Sequence, residues 1–259
     1  MFPKLVQWGD FFIPTYGVLL AIAFLTALWL ASHLGRRVGL NSERIMDIGL
    51  IAALSGIVGA KLAMFLFDWD YYTVHPGQIF SLGTLQAAGV FQGGLILALL
   101  VSIWYMRRKR MPVLTTMDVF APSIALGHAI GRVGCFVAGC CWGAPTHLPW
   151  AVTFTNQESH DRFGTPINVP LHPSQLYESG AELIIMAILL WMFRRPHREG
   201  AIVAWYLVLY SIVRFFVEFV RNHEQALVWG LSLTQWISLA TLAAGAVMLI
   251  RARRRVLVP

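Results

Sequence analysis

Charge is what this 259-residue sequence has least of. Only 13% of its residues are charged, against about 25% in ordinary soluble domains. That scarcity excludes a conventional water-soluble surface. Cysteine is also rare, with three in the chain, so a disulfide-dense secreted scaffold is excluded. No internal repeat or low-complexity tract is present, which sets aside solenoids and disordered tails. A cleavable leader is not expected either. Lys4 is the only early basic residue, and the first apolar stretch, Phe11–Leu34, is too long for a signal-peptide core.

Long apolar runs are abundant instead. Apolar residues make up 57% of the chain and the mean hydropathy is +0.63. A helix crosses the hydrocarbon core with about 20 apolar residues. Seven runs qualify: Phe11–Leu34, Ile45–Phe67, Ala88–Met106, Asp118–Val137, Gln175–Phe193, Ala201–Val220 and Leu231–Ile250. The expected fold class is therefore all-α, an integral membrane protein with seven transmembrane helices forming one domain over 1–259.

The net charge of +7 does not point to nucleic acid, because the basic residues sit in short clusters between apolar runs. Four clusters follow runs one, three, five and seven: Arg36-Arg37, Arg107-Arg108-Lys109-Arg110, Arg194-Arg195 with Arg198, and Arg251 with Arg253-Arg254-Arg255. The remaining segments hold only Lys4, Arg162 and Arg221 besides Arg44. By the positive-inside rule the N-terminus lies outside and the C-terminus in the cytoplasm. Segment 138–174, rich in Pro, Thr and Asn, is expected to form a small outer (periplasmic) cap.

Lys61, Arg132 and Arg214 fall inside apolar runs. An Arg at the centre of a membrane helix costs about 2.5–3.5 kcal/mol on insertion scales, so such residues usually face the bundle interior and mark function. Lys61 either serves a site or pairs with Asp47, Asp118 or a carbonyl. Helical spacing groups the others. His128, Arg132 and Cys135 share one face, and Tyr210, Arg214, Glu218 and Arg221 share another. Two arginines on such faces suit an anionic group, since the guanidinium fork donates two parallel hydrogen bonds.

Several segments resemble the signatures of the bacterial prolipoprotein diacylglyceryl transferase family. They are Gly131-Arg132-Val133-Gly134-Cys135-Phe136 followed by Trp142-Gly143, His172-Pro173-Ser174-Gln175-Leu176-Tyr177-Glu178, and Arg214-Phe215-Phe216-Val217-Glu218-Phe219-Val220-Arg221. Pro14-Thr15-Tyr16-Gly17, Gly56 to Lys61, Phe91-Gln92-Gly93-Gly94, Asp118 and Leu231-Ser232-Leu233-Thr234-Gln235 add to the match, in the family's order.

The resemblance implies an inner-membrane enzyme that moves the diacylglyceryl group of phosphatidylglycerol to the lipobox cysteine of a preprolipoprotein. Glycerol-1-phosphate leaves. Its partners would be phosphatidylglycerol, lipobox signal peptides and membrane lipids, with no nucleic acid, and it would act as a monomer without a cofactor. It implies catalytic roles for Arg132, Arg214, Glu218 and the position of Gln92, and His128, one turn from Arg132, is a further catalytic candidate. Substrate contacts would come from Arg132, Arg214, Tyr16, Tyr210, Arg221, His172, Tyr177, Gly143 and Asp118.

The chain departs from the usual signature at Cys135 and Ala138, where the family has Asn, and at Cys140, where it has an acid. Gln92 stands where a His proposed as general base is common. Gln cannot accept a proton, which makes His128 the expected base; the other reading is a hydrogen-bonded interior histidine. His172 either touches substrate or fixes the start of the fifth run. Cys135, Cys140 and Cys141 read as structural, either as free small apolar side chains or with one disulfide among them, and no metal site is expected, because Cys-x4-Cys-Cys alone falls short of usual metal-ligand spacing. Two other functions fit the same residues. One is a paralogue that binds or moves an anionic phospholipid without forming a thioether. The other is a membrane thiol–disulfide oxidoreductase using the three cysteines.

Overall fold

A chain with so few charges and such long apolar runs satisfies its backbone within helices. The computed structural model describes residues 3–8, 11–81, 84, 89–221 and 227–252. The chain divides into two compact units, Met1–Ala31 with Met117–Pro259, and Ser32–Thr116.

The first unit opens with an antiparallel pair, β1 (Lys4–Trp8) and β2 (Phe11–Pro14). Helix α1 (Thr15–Arg37) follows directly and runs into the second unit. The first apolar run was expected to be helical from Phe11. Its first four residues are strand instead, because Pro14 cannot donate to a helical ladder and the preceding residue is driven to extended backbone.

The second unit contains α2 (Ser42–Phe67), the short α3 (Trp69–Val74), a 3-10 turn at Pro76–Phe80, and α4 (Phe91–Arg108). Asn41 caps α2, its side chain accepting from the backbone N–H of Glu43 and Arg44. Helices α2 and α4 pack through glycines. A methyl at Gly59 would lie 2.5 Å from the Gly93 carbonyl oxygen, and one at Gly93 would lie 2.2 Å from Ala63 Cβ. Small residues at such a crossing let two backbones approach closely, the common way membrane helices associate. Tyr105 also donates to Asp47 Oδ2 at 2.5 Å. Lys61 donates to the Thr84 carbonyl, a carbonyl being one of the partners expected for it.

The chain re-enters the first unit along α5 (Val113–Ala138), which carries Pro122 within it. Segment 139–173 holds the short pair β3 (Val152–Thr153) and β4 (Pro170–Leu171) and helix α6 (Gln157–Phe163). Three further helices complete the unit: α7 (Ser174–Phe193), α8 (Ala201–Val217) with a 3-10 turn at Glu218–Val220, and α9 (Leu233–Ala252).

Burial is inverted relative to a soluble protein. Leu50, Leu54, Ile57, Ile184 and Phe216 are exposed, whereas Asp118, Gln175, Glu178 and Glu182 are buried. Lipid solvates the first set, and the second must be satisfied by protein. Six described helices are long and apolar enough to cross a membrane. The third expected run is helical from Phe91 to Arg108 but is not among those six. It opens with Gln92 and closes with Arg107-Arg108, and Ala88, its expected first residue, lies outside the described residues. The arginines Arg253–Arg255 of the fourth basic cluster lie outside them too.

Candidate functional site: an arginine cluster around a buried glutamate

Helix α7 places Gln175, Glu178, Glu182, Ile185 and Leu189 on its buried face. These positions recur every three or four residues, as one helical stripe requires. The first half of the stripe is polar, and it faces the two helix faces marked out by spacing.

Glu178, only 2% exposed, is the centre. Its Oε2 pairs with Arg132 Nη2. Its Oε1 lies 3.9 Å from Arg214 Nη1 and 3.6 Å from Arg221 Nη1. Arg214 also binds Glu218 Oε2 at 2.8 Å. Glu218 is held in turn by Ser232, whose hydroxyl donates to Oε1 at 2.9 Å. Ser232 and Gln235 form a capping box at the start of α9. The Gln235 N–H donates to Ser232 Oγ at 3.2 Å, and the Ser232 N–H donates to Gln235 Oε1 at 2.9 Å. The Leu231–Gln235 motif thus ends as a brace behind Glu218 and Arg214.

His128 sits one turn before Arg132. Its Nδ1 lies 2.8 Å from Glu182 Oε1, and its Nε2 lies 4.0 Å from Glu178 Oε2. The Tyr210 ring meets the His128 ring edge-on at 5.5 Å between centroids. Ser179 donates to the Ala129 carbonyl at 2.9 Å and locks α7 to α5 at this level.

Arg221 reaches the cluster by a route that helical spacing does not give. α8 ends at Val217, and Arg221 is extended (φ −85°, ψ 148°). An isolated bridge pairs it with Gly143. The Ala144 N–H donates to the Val220 carbonyl at 2.8 Å, and the Gly143 N–H to the His172 carbonyl at 3.0 Å. A Cβ on Gly143 would lie 2.6 Å from both the Val220 oxygen and His172 Cβ, so only glycine lets the three segments meet. Burial, before the neighbouring positive charge of Arg214, pulls the Arg221 guanidinium below its ordinary value.

Three arginines thus face Glu178 and Glu218, while Glu182 is engaged by His128. The Nε–H donors of Arg132 and Arg221 are buried without a hydrogen-bond partner among the described residues. Buried unpaired donors are uncommon. Donors of this kind can hydrogen-bond an anion.

The other expected residues lie around this centre or away from it. Tyr16, in the first turn of α1, lies against Gly134 of α5, where an added methyl would sit 3.3 Å from its ring. Tyr177 OH accepts from Trp150 Nε1 at 2.7 Å and lies 3.2 Å from His172 Nδ1. His172 and Tyr177 therefore brace segment 139–173 rather than bond the arginines. Asp118, expected to touch substrate, caps α8 instead. Its Oδ2 accepts from the Gly200 N–H at 2.6 Å and its Oδ1 from the Val203 N–H at 2.8 Å. A carboxylate at the positive end of a helix is stabilising, and this one stands at the opposite end of α8 from Arg214. Gln92 occupies the first turn of α4 in the second unit and is exposed.

Glu178 and Glu182 were missed as site residues, although two acids at i, i+4 inside an apolar run are as costly as the arginines. Cys135, Cys140 and Cys141 are all free, so of the two structural readings the one without a disulfide holds. Hydrogen bonds with Cys135 and Cys140, then the charges of Arg132 and Arg221, draw the Cys141 thiol below its usual value.

Fold and site together define a multi-pass membrane protein with three arginines gathered around a buried glutamate. A model of the prolipoprotein diacylglyceryl transferase family matches residues 3–251, and the chain belongs to that family. It is 33% identical over 246 residues to the phosphatidylglycerol–prolipoprotein diacylglyceryl transferase of Clostridium tetani, covering 95% of each chain. It is 34% identical over 261 residues to the protein of that name from Bordetella avium, covering 98% of this chain and 95% of that one. The protein of that name from Methylobacillus flagellatus is 34% identical over 268 residues, with 98% and 97% covered.

Proposed function

We propose that the chain acts over its whole length as a phosphatidylglycerol–prolipoprotein diacylglyceryl transferase of the bacterial inner membrane. It joins the diacylglyceryl group to the thiol of a lipobox cysteine and releases glycerol-1-phosphate. The observation that carries this reading is the trio Arg132, Arg214 and Arg221 around Glu178, with two buried Nε–H donors left for an anion.

The acceptor sulfur attacks the glycerol carbon bonded to the phosphate oxygen. The C–S bond forms as that C–O bond breaks, and its electron pair leaves on the phosphate of glycerol-1-phosphate. Arg132, Arg214 and Arg221 stabilise the negative charge that builds there, the kind of electrostatic contribution that usually dominates. Glu178 and Glu218 hold the guanidinium groups in one geometry before substrate arrives. The thiol proton goes to His128, whose Nδ1 is oriented by Glu182 so that Nε2 receives it. Gly143 and Tyr16 shape the space beside the arginines, while His172 and Tyr177 support segment 139–173.

In the membrane, α4 serves as the seventh span. The basic clusters put the N-terminus outside, the C-terminus in the cytoplasm and segment 138–174 over the outer face, and the enzyme works as a monomer. Lipid donor and exported cysteine then meet on the side where the arginines lie.

Complementation of a host depleted of its own transferase tests the reading. Rescue by the wild-type gene and its loss in Arg214→Ala are expected. A well-expressed, membrane-inserted wild-type protein that does not rescue would overturn it.

A further inference from the structure

The three cysteines have no part in the chemistry described so far, yet they converge. The sulfurs of Cys135, Cys140 and Cys141 all lie within 4.8 Å of one another. Three free thiols meeting at one point call for an explanation that three scattered structural cysteines would not.

The turn that brings them together is fixed with unusual completeness. Helix α5 ends at Ala138. Gly139 turns the chain in the left-handed region (φ +85°), and Cys141 repeats that conformation (φ +64°). The N–H groups of Gly139 and Cys140 both donate to the Cys135 carbonyl, at 3.0 and 3.1 Å. Four successive carbonyls are then taken by buried side chains. Ser159 Oγ donates to Ala138 O at 3.0 Å and Thr165 Oγ1 to Gly139 O at 2.7 Å. Gln175 Nε2 donates to Cys140 O at 2.7 Å and Ser174 Oγ to Cys141 O at 3.0 Å. All four donors belong to residues no more than 1% exposed. The backbone that carries the thiols is therefore preorganised from outside, as a ligand site requires.

The donor set selects its ligand. Thiolates are soft and favour Zn(II) and other soft cations over Mg(II) or Ca(II). Tetrahedral zinc with Zn–S bonds of about 2.3 Å places its sulfurs about 3.8 Å apart. Thiols within 4.8 Å of one another lie no more than about 1 Å from that spacing. Structural zinc sites close with four protein ligands, while reactive ones use three and leave one position for water or substrate. Among the described residues this group has three.

Its location adds the last element. Cys135 is one helical turn beyond Arg132. Cys141 stands two residues before Gly143, the bridge partner of Arg221. Three thiolates around a divalent ion carry one net negative charge, and two arginines stand beside it.

We propose that Cys135, Cys140 and Cys141 bind a divalent d10 cation, zinc by its chemistry, whose fourth position takes the acceptor thiol. The role of that fourth position rests on the transferase reading above. A thiol that ligates such an ion is deprotonated, and the thiolate is the nucleophile. The acceptor gives its proton to His128 on ligation, and its sulfur attacks the glycerol carbon. The phosphate departs with the C–O electron pair. The thioether formed is a weaker ligand than a thiolate and leaves, reopening the position. The cation changes neither charge nor oxidation state.

The test uses the reduced full-length protein in detergent micelles. One zinc per chain is expected after dialysis. X-ray absorption should show three sulfurs at about 2.3 Å and one lighter atom, becoming four sulfurs when a lipobox peptide is added. Removing zinc with a chelator should lower phosphatidylglycerol turnover at least tenfold, and added Zn(II) should restore it. No bound zinc in the wild-type protein, or one zinc retained by the triple variant Cys135→Ser, Cys140→Ser, Cys141→Ser, overturns the site. A disulfide joining two of the three in the membrane-isolated protein overturns it as well. Full turnover by zinc-free protein removes the cation's role and leaves the transferase reading standing. One zinc on three sulfurs in a protein with no turnover refutes the transferase reading and the acceptor role together.

Discussion

Neutralising Glu178 is the perturbation that most sharply probes the arginine cluster. Glu178→Gln keeps the size and one carbonyl acceptor but removes the charge that Arg132, Arg214 and Arg221 share. Hydrogen bonds to charged groups are worth about 1.5–3 kcal/mol. Lost from the reactive geometry, that range corresponds to about a 10- to 150-fold fall in turnover at 1.36 kcal/mol per tenfold. Breaking a buried ion pair from one side also destabilises by about 3–5 kcal/mol. The variant should therefore melt earlier as well as turn over more slowly. The assay is release of glycerol-1-phosphate from phosphatidylglycerol and a lipobox peptide, normalised to monodisperse protein, with a thermal melt alongside. Turnover within threefold of wild type with an unchanged melt would refute the view that Glu178 organises the arginines.

Arg132→Lys and Arg214→Lys keep the charge but lose the planar fork, so each should lower turnover by about 100-fold, the low end of losing an electrostatic contact to the transition state; phosphatidylglycerol titrations with both variants check this. Asp118→Ala removes two acceptors from the start of α8. It should cost about 0.5–2 kcal/mol of stability while turnover per folded molecule stays unchanged, and a rise in KM for the lipid would return Asp118 to the site. Gly143→Ala pushes a methyl into the Val220 carbonyl and His172. Displacement of Arg221 should then reduce turnover by about tenfold, the worth of roughly 1.4 kcal/mol of lost positioning, with rates measured on the purified variant.

Hydropathy made most of the helices legible before any coordinates, because about 20 apolar residues in a row have few other uses. It failed at Phe11–Pro14, where four apolar residues suit a strand as well as a helix and only Pro14 marks the change. Spacing placed His128 with Arg132, and Tyr210 with Arg214 and Glu218, and the structure brings both groups into one cluster. It gave the wrong route for Arg221, which leaves the helix and arrives through a backbone bridge to Gly143. The resemblance gave a substrate contact for Asp118, whereas its carboxylate caps a helix whose N-cap residue lies 82 positions later, a tertiary contact. Glu178 lay in plain view inside a quoted motif. Its role depends on three arginines from two other segments, and no local pattern encodes that. The convergence of the cysteines was hidden for a similar reason. Cys-x4-Cys-Cys becomes a single point only because Gly139 folds the chain back and four buried donors hold it there.

The account stands most directly on one reaction. Purified full-length protein is mixed with phosphatidylglycerol and a lipobox peptide, and glycerol-1-phosphate and thioether-linked peptide are counted together. Equal amounts of the two, absent when the peptide cysteine is replaced by serine, are the predicted result. No release, or release that does not depend on the peptide thiol, would contradict it.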